Sequence, residues 1–411
     1  MSPRASLVWL ALLVPLSACE RGLGVTPPPA AEAAAACERG PDNDGVSIPG
    51  CLLASGVITP GHYAASQTIV GAALALRDSL RPLHSDHAMR MSPYLSRSLQ
   101  SLDEFHARGI LDSVLFNRAI DRVAVTIEFV TGQLRSRGSI FKLPSRTPGL
   151  IWYEPQGTGG IFFQPASTIF ETGMYYGAAT LPLDSLVRTA EALWRYATWV
   201  DGTGSSAGIR FPVWYYNFQW NGAGVPVAAP WRSGLTQGIA LATIAAVYTR
   251  TGDPRWRDRA IQVARSLTVP WNDGGVLVQD GDGAWWEEYH PITRIWNGHA
   301  FAVLGVGDYL KVVPEDTALA RLYPSAVNAA RIYALRFDTG SWLKYSRNEW
   351  SVTEAYRTLH VGLARRLAAQ TGDASWSEIA NRWAAYTRPP TEPAADLGWV
   401  PPDLHAVLKQ P

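Results

Sequence analysis

The sequence predicts a mainly α fold, an (α/α) barrel or toroid with short β-hairpin insertions at one rim. Three observations predict it. Apolar residues recur at three- and four-residue spacings over long stretches beyond residue 60. Helix starts carry capping residues: Ser233 before one apolar run, and Asp253 with Pro254 before another. One turn also occurs twice. Thr251-Gly252-Asp253-Pro254-Arg255-Trp256 with Ala260 is matched by Thr371-Gly372-Asp373-Ala374-Ser375-Trp376 with Ala380. In both, Gly ends a helix and Asp caps the next. Inner and outer helices joined by repeated turns are the plan of a toroid.

Taken in order, the periods predict helices over residues 61–80, 102–133, 186–200, 233–248, 254 onward, 299–312, 317–335, 353–369 and 374–386. Residues 139–163 are rich in Gly, Pro and aromatics and predict a loop or hairpin. Residues 273–296 and 337–350 hold short alternating stretches suited to hairpins, the natural insertions at the rim.

The ends predict export. Arg4 precedes a short apolar run over residues 7–16, too short for a membrane-spanning helix. Leu16-Ser17-Ala18-Cys19 resembles a bacterial lipobox with Cys19 as the lipidated residue. The domains expected are a signal peptide over 1–18, a lipid-anchored linker over 19–59, a toroid over 60–390 and a tail over 391–411. Two further cysteines, Cys37 and Cys51, are expected to pair in an oxidising compartment. The location expected is the cell envelope, with the lipid anchor as the only membrane contact.

A net charge of +1 supplies no field for nucleic acid. Positive charge is almost all arginine, which suits bidentate capture of carboxylate or sulfate. Seventeen Trp and sixteen Tyr suit stacking on sugars, although large helical folds also bury aromatics. No His or Cys spacing suits a metal, no glycine-rich loop suits a phosphate or dinucleotide, and no cofactor is expected. The oligomeric state is left open.

The chemistry concentrates in three clusters. Trp285-Trp286-Glu287-Glu288-Tyr289-His290-Pro291, followed by Trp296-Asn297-Gly298, mixes rings, carboxylates, a phenol and an amide with no secondary-structure period. Tyr345-Ser346-Arg347 and Tyr356-Arg357-Thr358-Leu359-His360 follow. Such residues stack on a sugar, grip its hydroxyls and move a proton. Read singly they are blander: Tyr289 a rim aromatic, Glu287 and Glu288 a solvated pair, Trp285 and Trp286 one buried and one exposed, His290 a loop residue.

These clusters, with Phe337-Asp338-Thr339-Gly340-Ser341, resemble in order the C-terminal domain of D-glucuronyl C5-epimerases, over about residues 185–386. Trp231-Arg232-Ser233-Gly234-Leu235-Thr236-Gln237-Gly238 resembles that family's W-x-S-x-x-x-Q-G helix start. Gly160-Ile161-Phe162-Phe163-Gln164-Pro165 resembles an N-terminal aromatic segment, with Phe162 and Phe163 where the family has tyrosines nearby. The resemblance implies conversion of glucuronate to iduronate within a heparan-type chain. It implies Tyr289, Tyr345 and Tyr356 as active-site tyrosines, Glu288 and Asn297 as groups holding the sugar, and Arg347 as a carboxylate grip. Trp231 and Gln237 follow as substrate contacts. His360, one helical turn beyond Tyr356, would orient it or bind substrate. The Tyr-to-Arg spacing is two here against three in the family.

Epimerisation at C5 removes a proton beside a carboxylate and returns one on the other face, through an enediolate that strong donors must stabilise. A phenol with a pKa near ~10 is a weak base at neutral pH. A neighbouring Arg would lower that value and a carboxylate would raise it. Sequence adjacency therefore favours Tyr345 or Tyr356, beside Arg347 and Arg357, as the base and Tyr289, beside Glu288, as the acid. Other readings are a polysaccharide lyase sharing the proton abstraction, a glycoside hydrolase with paired carboxylates, and a non-catalytic glycan-binding lipoprotein. If Cys19 carries lipid, Cys19→Ser should move the protein from the membrane fraction to the soluble fraction on cell fractionation; retention in the membrane would end that reading.

Overall fold

The repeated turn forms twice, with the same internal geometry. In a computed structural model of the chain, Gly252 and Gly372 adopt φ of 67° and 70°, the left-handed region that glycine enters without steric cost. Asp253 accepts from Arg255 N at 3.0 Å and Asp373 from Ser375 N at 2.9 Å. The threonine before each glycine accepts from the Asp backbone N–H at 3.2 Å in both. Trp256 and Trp376 are buried. The structure describes residues 45–387 apart from 84–85, 132–134, 138–139, 143–149, 154–159, 172–180, 223–224, 290–292 and 348–350. The expected signal segment, Cys19, Cys37, His290 and the tail over 391–411 lie outside the described residues.

The chain divides into two compact units, Met1–Gln133 and Leu134–Pro411. In the first, α1 (Ile48–Ala54), α2 (Pro60–Leu80), α3 (Asp86–Ala107) and α4 (Ser113–Val130) pack on one another. The continuous period expected over 102–133 is broken here. Gly109 turns the chain at φ 65°, and Asp112 caps α4 by accepting from Leu115 N at 2.7 Å. Cys51 on α1 is disulfide-bonded.

The second unit begins with an antiparallel meander, β1 (Arg135–Arg137), β2 (Ile140–Lys142), β3 (Ile151–Tyr153) and β4 (Phe162–Phe163). Helix α5 (Pro165–Glu171) and α6 (Leu183–Arg195) follow. The helix expected over 186–200 stops at Arg195. Thr198–Asp201 instead forms β5, paired with β6 (Arg210–Val213), and β7 (Trp220–Gly222) pairs with β8 (Val225–Val227).

Three helical hairpins come next. They are α7 (Gly234–Thr251) with α8 (Pro254–Thr268), α9 (Trp296–Val312) with α10 (Thr317–Arg336), and α11 (Glu354–Thr371) with α12 (Ala374–Ala384). Helix α9 packs between α7 and α11, while α8, α10 and α12 cover their respective partners. Thus α7, α9 and α11 make an inner layer and the other three an outer one. Sequence explains the division: α7 and α9 are apolar around most of their circumference, whereas α8 buries Trp256, Ala260, Val263, Ala264 and Leu267 along one face. Among the described residues no ring closes, so the expected barrel is reduced to a mainly helical two-layer assembly. The hairpin expected within 273–296 is present as β9 (Leu277–Asp280) and β10 (Gly283–Trp286), packed on α10.

Helices α7 and α9 touch backbone to backbone. A Cβ on Gly238 would lie 2.4 Å from Ala302 Cα, and one on Gly305 would lie 2.1 Å from Gly238 O. Gly238→Ala should therefore force the inner helices apart and destabilise the protein by about 1–3 kcal/mol, read as a lower thermal midpoint. Gly71→Ala on α2 meets nothing within 4 Å and should not lower the midpoint.

Candidate active site

Hairpin β9–β10 delivers Glu287, Glu288 and Tyr289 across the N-terminal end of α7, where Gly234 N donates to Glu287 O at 2.7 Å. That approach needs a glycine, since a Cβ at 234 would lie 2.8 Å from the same carbonyl. Trp285 and Trp286 are both buried, not one in and one out. His299 on α9 locks them. Its Nδ1 accepts from Trp286 N at 3.0 Å, its Nε2 donates to Ala326 O at 3.0 Å, and its ring stacks on Trp285 at 3.9 Å. Burial lowers the His299 pKa to about 3, so this imidazole is neutral.

Glu287 and Glu288 are buried as well, at 0% and 7% exposure, which overturns the solvated-pair reading. The Glu287 carboxylate accepts from Thr293 Oγ1 at 3.0 Å, from Arg294 N at 3.1 Å and from the Arg294 guanidinium at 3.5 Å. Arg294 is held at φ 50°, a strained value for a residue with a side chain, and also pairs with Asp280. Burial raises the Glu287 pKa to about 7, opposed by Arg294. Glu288 has no such support. Its Oε2 is buried without a hydrogen-bond partner, and burial first, with Glu287's charge adding and the Tyr289 hydroxyl opposing, raises its pKa to about 8. At neutral pH Glu288 is mostly a carboxylic acid. Its seat requires Gly298, where a Cβ would fall 2.2 Å from Oε2.

The three tyrosines meet. Tyr289 and Tyr345 hydroxyls are 3.2 Å apart, and the Tyr345 and Tyr356 rings meet edge-on at 5.5 Å. Tyr345 and Tyr356 are buried and Tyr289 is half-buried. Burial raises the Tyr289 and Tyr345 phenols well above their ordinary value, and Glu288 raises both further. Their arginine neighbours do not counter this. Arg347 donates to Tyr333 on α10, and Arg357 pairs with Glu354 and donates to Trp383 O at 2.9 Å. The acidification expected from sequence adjacency is therefore absent in this geometry.

Glu288, Tyr289, Asn297, Trp231 and Tyr356 line one open cleft. Asn297 Oδ1, like Glu288 Oε2, is buried and unpartnered. Trp231 stacks on Tyr216 at 3.9 Å and meets Tyr289 edge-on at 5.5 Å. Two expected contacts stand elsewhere. Gln237 spends its amide on Trp214 N at 3.4 Å, Pro212 O at 2.9 Å and Ser266 Oγ at 2.8 Å, so it ties strand β6 and α8 to α7 instead of facing the cleft. His360 is buried between Trp296 and Trp383 behind Tyr356, with its pKa lowered by burial to about 3. Arg347 is exposed and engaged with Tyr333, so its guanidinium does not line the cleft either.

Sequence reasoning missed Gln164, Phe170, Tyr216, Phe218, Trp220 and Phe301 in the lining. It also missed a shared electrostatic feature. Ser233 and Leu235, Asn297, and Tyr356 stand at the N-terminal ends of α7, α9 and α11, so the positive ends of three inner helices face one cleft. Among the described residues no cluster of His, Cys, Asp and Glu could hold a metal, and no helix is long and apolar enough to cross a membrane.

Residues 208–385 match the family model for the D-glucuronyl C5-epimerase C-terminus. A D-glucuronyl C5-epimerase of Caenorhabditis elegans is 23% identical over 176 residues, covering 38% of this chain and 29% of that protein. The chain thus spans under a third of that relative. Cleft residues from Tyr216 onward fall inside the matched stretch, whereas Gln164, Ala166 and Phe170 on the α5 side fall outside it.

Glu288 carries a sign-definite pH dependence. The folded state holds its proton up to about pH 8 while the unfolded chain releases it near 4.5, so stability should fall as pH rises between those values. Infrared difference spectra should show a protonated carboxyl at pH 6 that disappears towards pH 9. Glu288→Gln should remove the part of that signal that titrates towards pH 8 and flatten the upper part of the decline, leaving the lower part of both to Glu287.

Proposed function

We propose that the protein is a uronyl C5-epimerase that acts on a glucuronate- or iduronate-containing polysaccharide outside the cytoplasm. The observation that carries the reading is the hydrogen-bonded Tyr289–Tyr345 pair beside buried Glu288, whose Oε2 has no partner, at a cleft faced by three helix N-termini. The family match over 208–385 supports the reaction class.

The geometry refines the division of labour. Reacting atoms approach within about 3–3.5 Å, so groups serving opposite faces of C5 stand roughly twice that apart. Hydroxyls 3.2 Å apart therefore serve one face. In this proposal the Tyr289–Tyr345 pair exchanges the proton on that face, with Tyr356 packed against it, and the Glu288 carboxyl, hydrogen-bonded to the Tyr289 hydroxyl, supplies and takes up protons through it. Glu288 fits because its pKa of about 8 lies near working pH, where one group both releases and accepts a proton. Asn297 would hold a sugar hydroxyl or the carboxylate. Charge building on the enediolate would be met by the ends of α7, α9 and α11, which are fixed and need no reorganisation as the proton leaves. Export and anchoring through Cys19 would bring the enzyme to an envelope polymer.

Incubation with glucuronate polymers in D₂O, followed by NMR, should show deuterium entering at C5. Tyr345→Phe, Tyr289→Phe and Glu288→Gln should each slow exchange by about 10²–10⁴-fold with smaller effects on polymer binding. Exchange retained in all three would sink the mechanism. Absence of exchange in the wild type, with ultraviolet absorbance from an unsaturated uronate, would indicate a lyase instead.

A further inference from the structure

The cleft continues past the phenols along a line of rings. Tyr289 meets Trp231 at 5.5 Å, Trp231 meets Phe218 at 5.6 Å, and Phe218 meets Trp220 at 6.2 Å, each pair edge-on at 82–85°. Trp231 and Phe218 are buried at 6% and 3%, and Trp231 is further fixed by donating Nε1 to Phe218 O at 2.8 Å. Trp220 differs. It opens strand β7 of a two-stranded hairpin, lines the same cleft and is only partly buried. A large apolar ring left partly in water, on a rigid aromatic backing and continuous with a polar cleft, is a surface that gains by being covered.

Resting on the epimerase reading for the identity of the ligand, we propose that Trp220 is a stacking platform for a pyranose ring next to the uronate held at Glu288 and the tyrosines. The occupant follows from continuity. A polymer threaded through the site places a neighbouring sugar further along the same cleft, and Trp220 is separated from Tyr289 by two intervening rings, Trp231 and Phe218. The apolar C–H face of a pyranose would cover the indole while its hydroxyls stay in water. Trp220 would then set how many sugar units the enzyme recognises without taking part in proton transfer.

The test uses the full-length protein and two probes, the methyl glycoside of glucuronate and a hexasaccharide of alternating glucuronate and N-acetylglucosamine. Binding is measured by calorimetry and C5 exchange in D₂O. Trp220→Ala should weaken hexasaccharide binding and raise its KM by about 3–10-fold, the usual worth of one aromatic contact. It should leave kcat and the methyl glycoside unchanged, and Trp220→Tyr should restore most of the loss. Equal loss on both probes, or none on the hexasaccharide, would overturn the platform. Selective loss of hexasaccharide binding in a protein that shows no C5 exchange would uphold the platform and refute the epimerase. Exchange in the wild type with unaltered hexasaccharide binding in Trp220→Ala would do the reverse. Failure of the wild type to bind either probe would overturn both.

Discussion

The site depends on one buried carboxylate. Glu287 is fully enclosed, and its backbone and side chain, with Thr293 beside it, tie four separate pieces of chain together. Three of those ties are direct and the fourth runs through Thr293. The Glu287 N–H donates to Val276 O at 3.0 Å and its carbonyl receives Gly234 N at 2.7 Å. Its carboxylate gathers Thr293 and Arg294. Thr293 O in turn accepts from Arg347 N at 3.0 Å, bringing in the loop that carries Tyr345. Taking a charge out of water costs several kcal/mol, and partnering with Arg294 and two further donors offsets part of it. The return is positional: the residue after this knot is Glu288 and the next is Tyr289. Strain at Arg294 belongs to the same device, because φ of 50° turns its backbone N–H and its guanidinium onto one carboxylate.

Electrostatics in the cleft differ from what an arginine-rich sequence suggests. The arginines that flank the tyrosines in sequence are engaged elsewhere, Arg347 with Tyr333 and Arg357 with Glu354. What faces a ligand is a set of neutral or polar groups and the positive ends of helices. Burial keeps Glu288 and both phenols protonated near neutrality, so the empty cleft carries little net charge and an incoming carboxylate meets no like charge.

Legibility from sequence followed the range of the interactions. The caps at Ser233, Asp253 and Asp373 and the left-handed glycines were readable because each is decided within about four residues. The three tyrosine-bearing clusters were readable because their mixture of groups lacks a period. Strands of three or four residues, such as β5 to β8, are too short to show alternation, and the helical period before them ran on past Arg195. Directions of side chains were the least readable. Nothing local says that Gln237 turns towards Pro212 or that Glu287 is enclosed, since those outcomes rest on strand β6 and on Arg294. One signal was present and passed over. Trp214-Tyr215-Tyr216-Asn217-Phe218-Gln219-Trp220 mixes rings and amides much as the Trp285 segment does, and it supplies three lining residues.

The repeated Thr-Gly-Asp turn has a further meaning for how such a cleft is composed. The turn folds back the outer helix in two of the three hairpins, α7–α8 and α11–α12, while α9 and α10 are joined through residues 313–316 without it, and each inner helix begins at the same end as the last. Scaffold growth and field growth are therefore one process: every added hairpin contributes one more helix N-terminus to the rim. The positive field at the rim is thus distributed over three helix ends and does not depend on one cationic side chain. Shortening the inner layer by one helix would weaken that field stepwise.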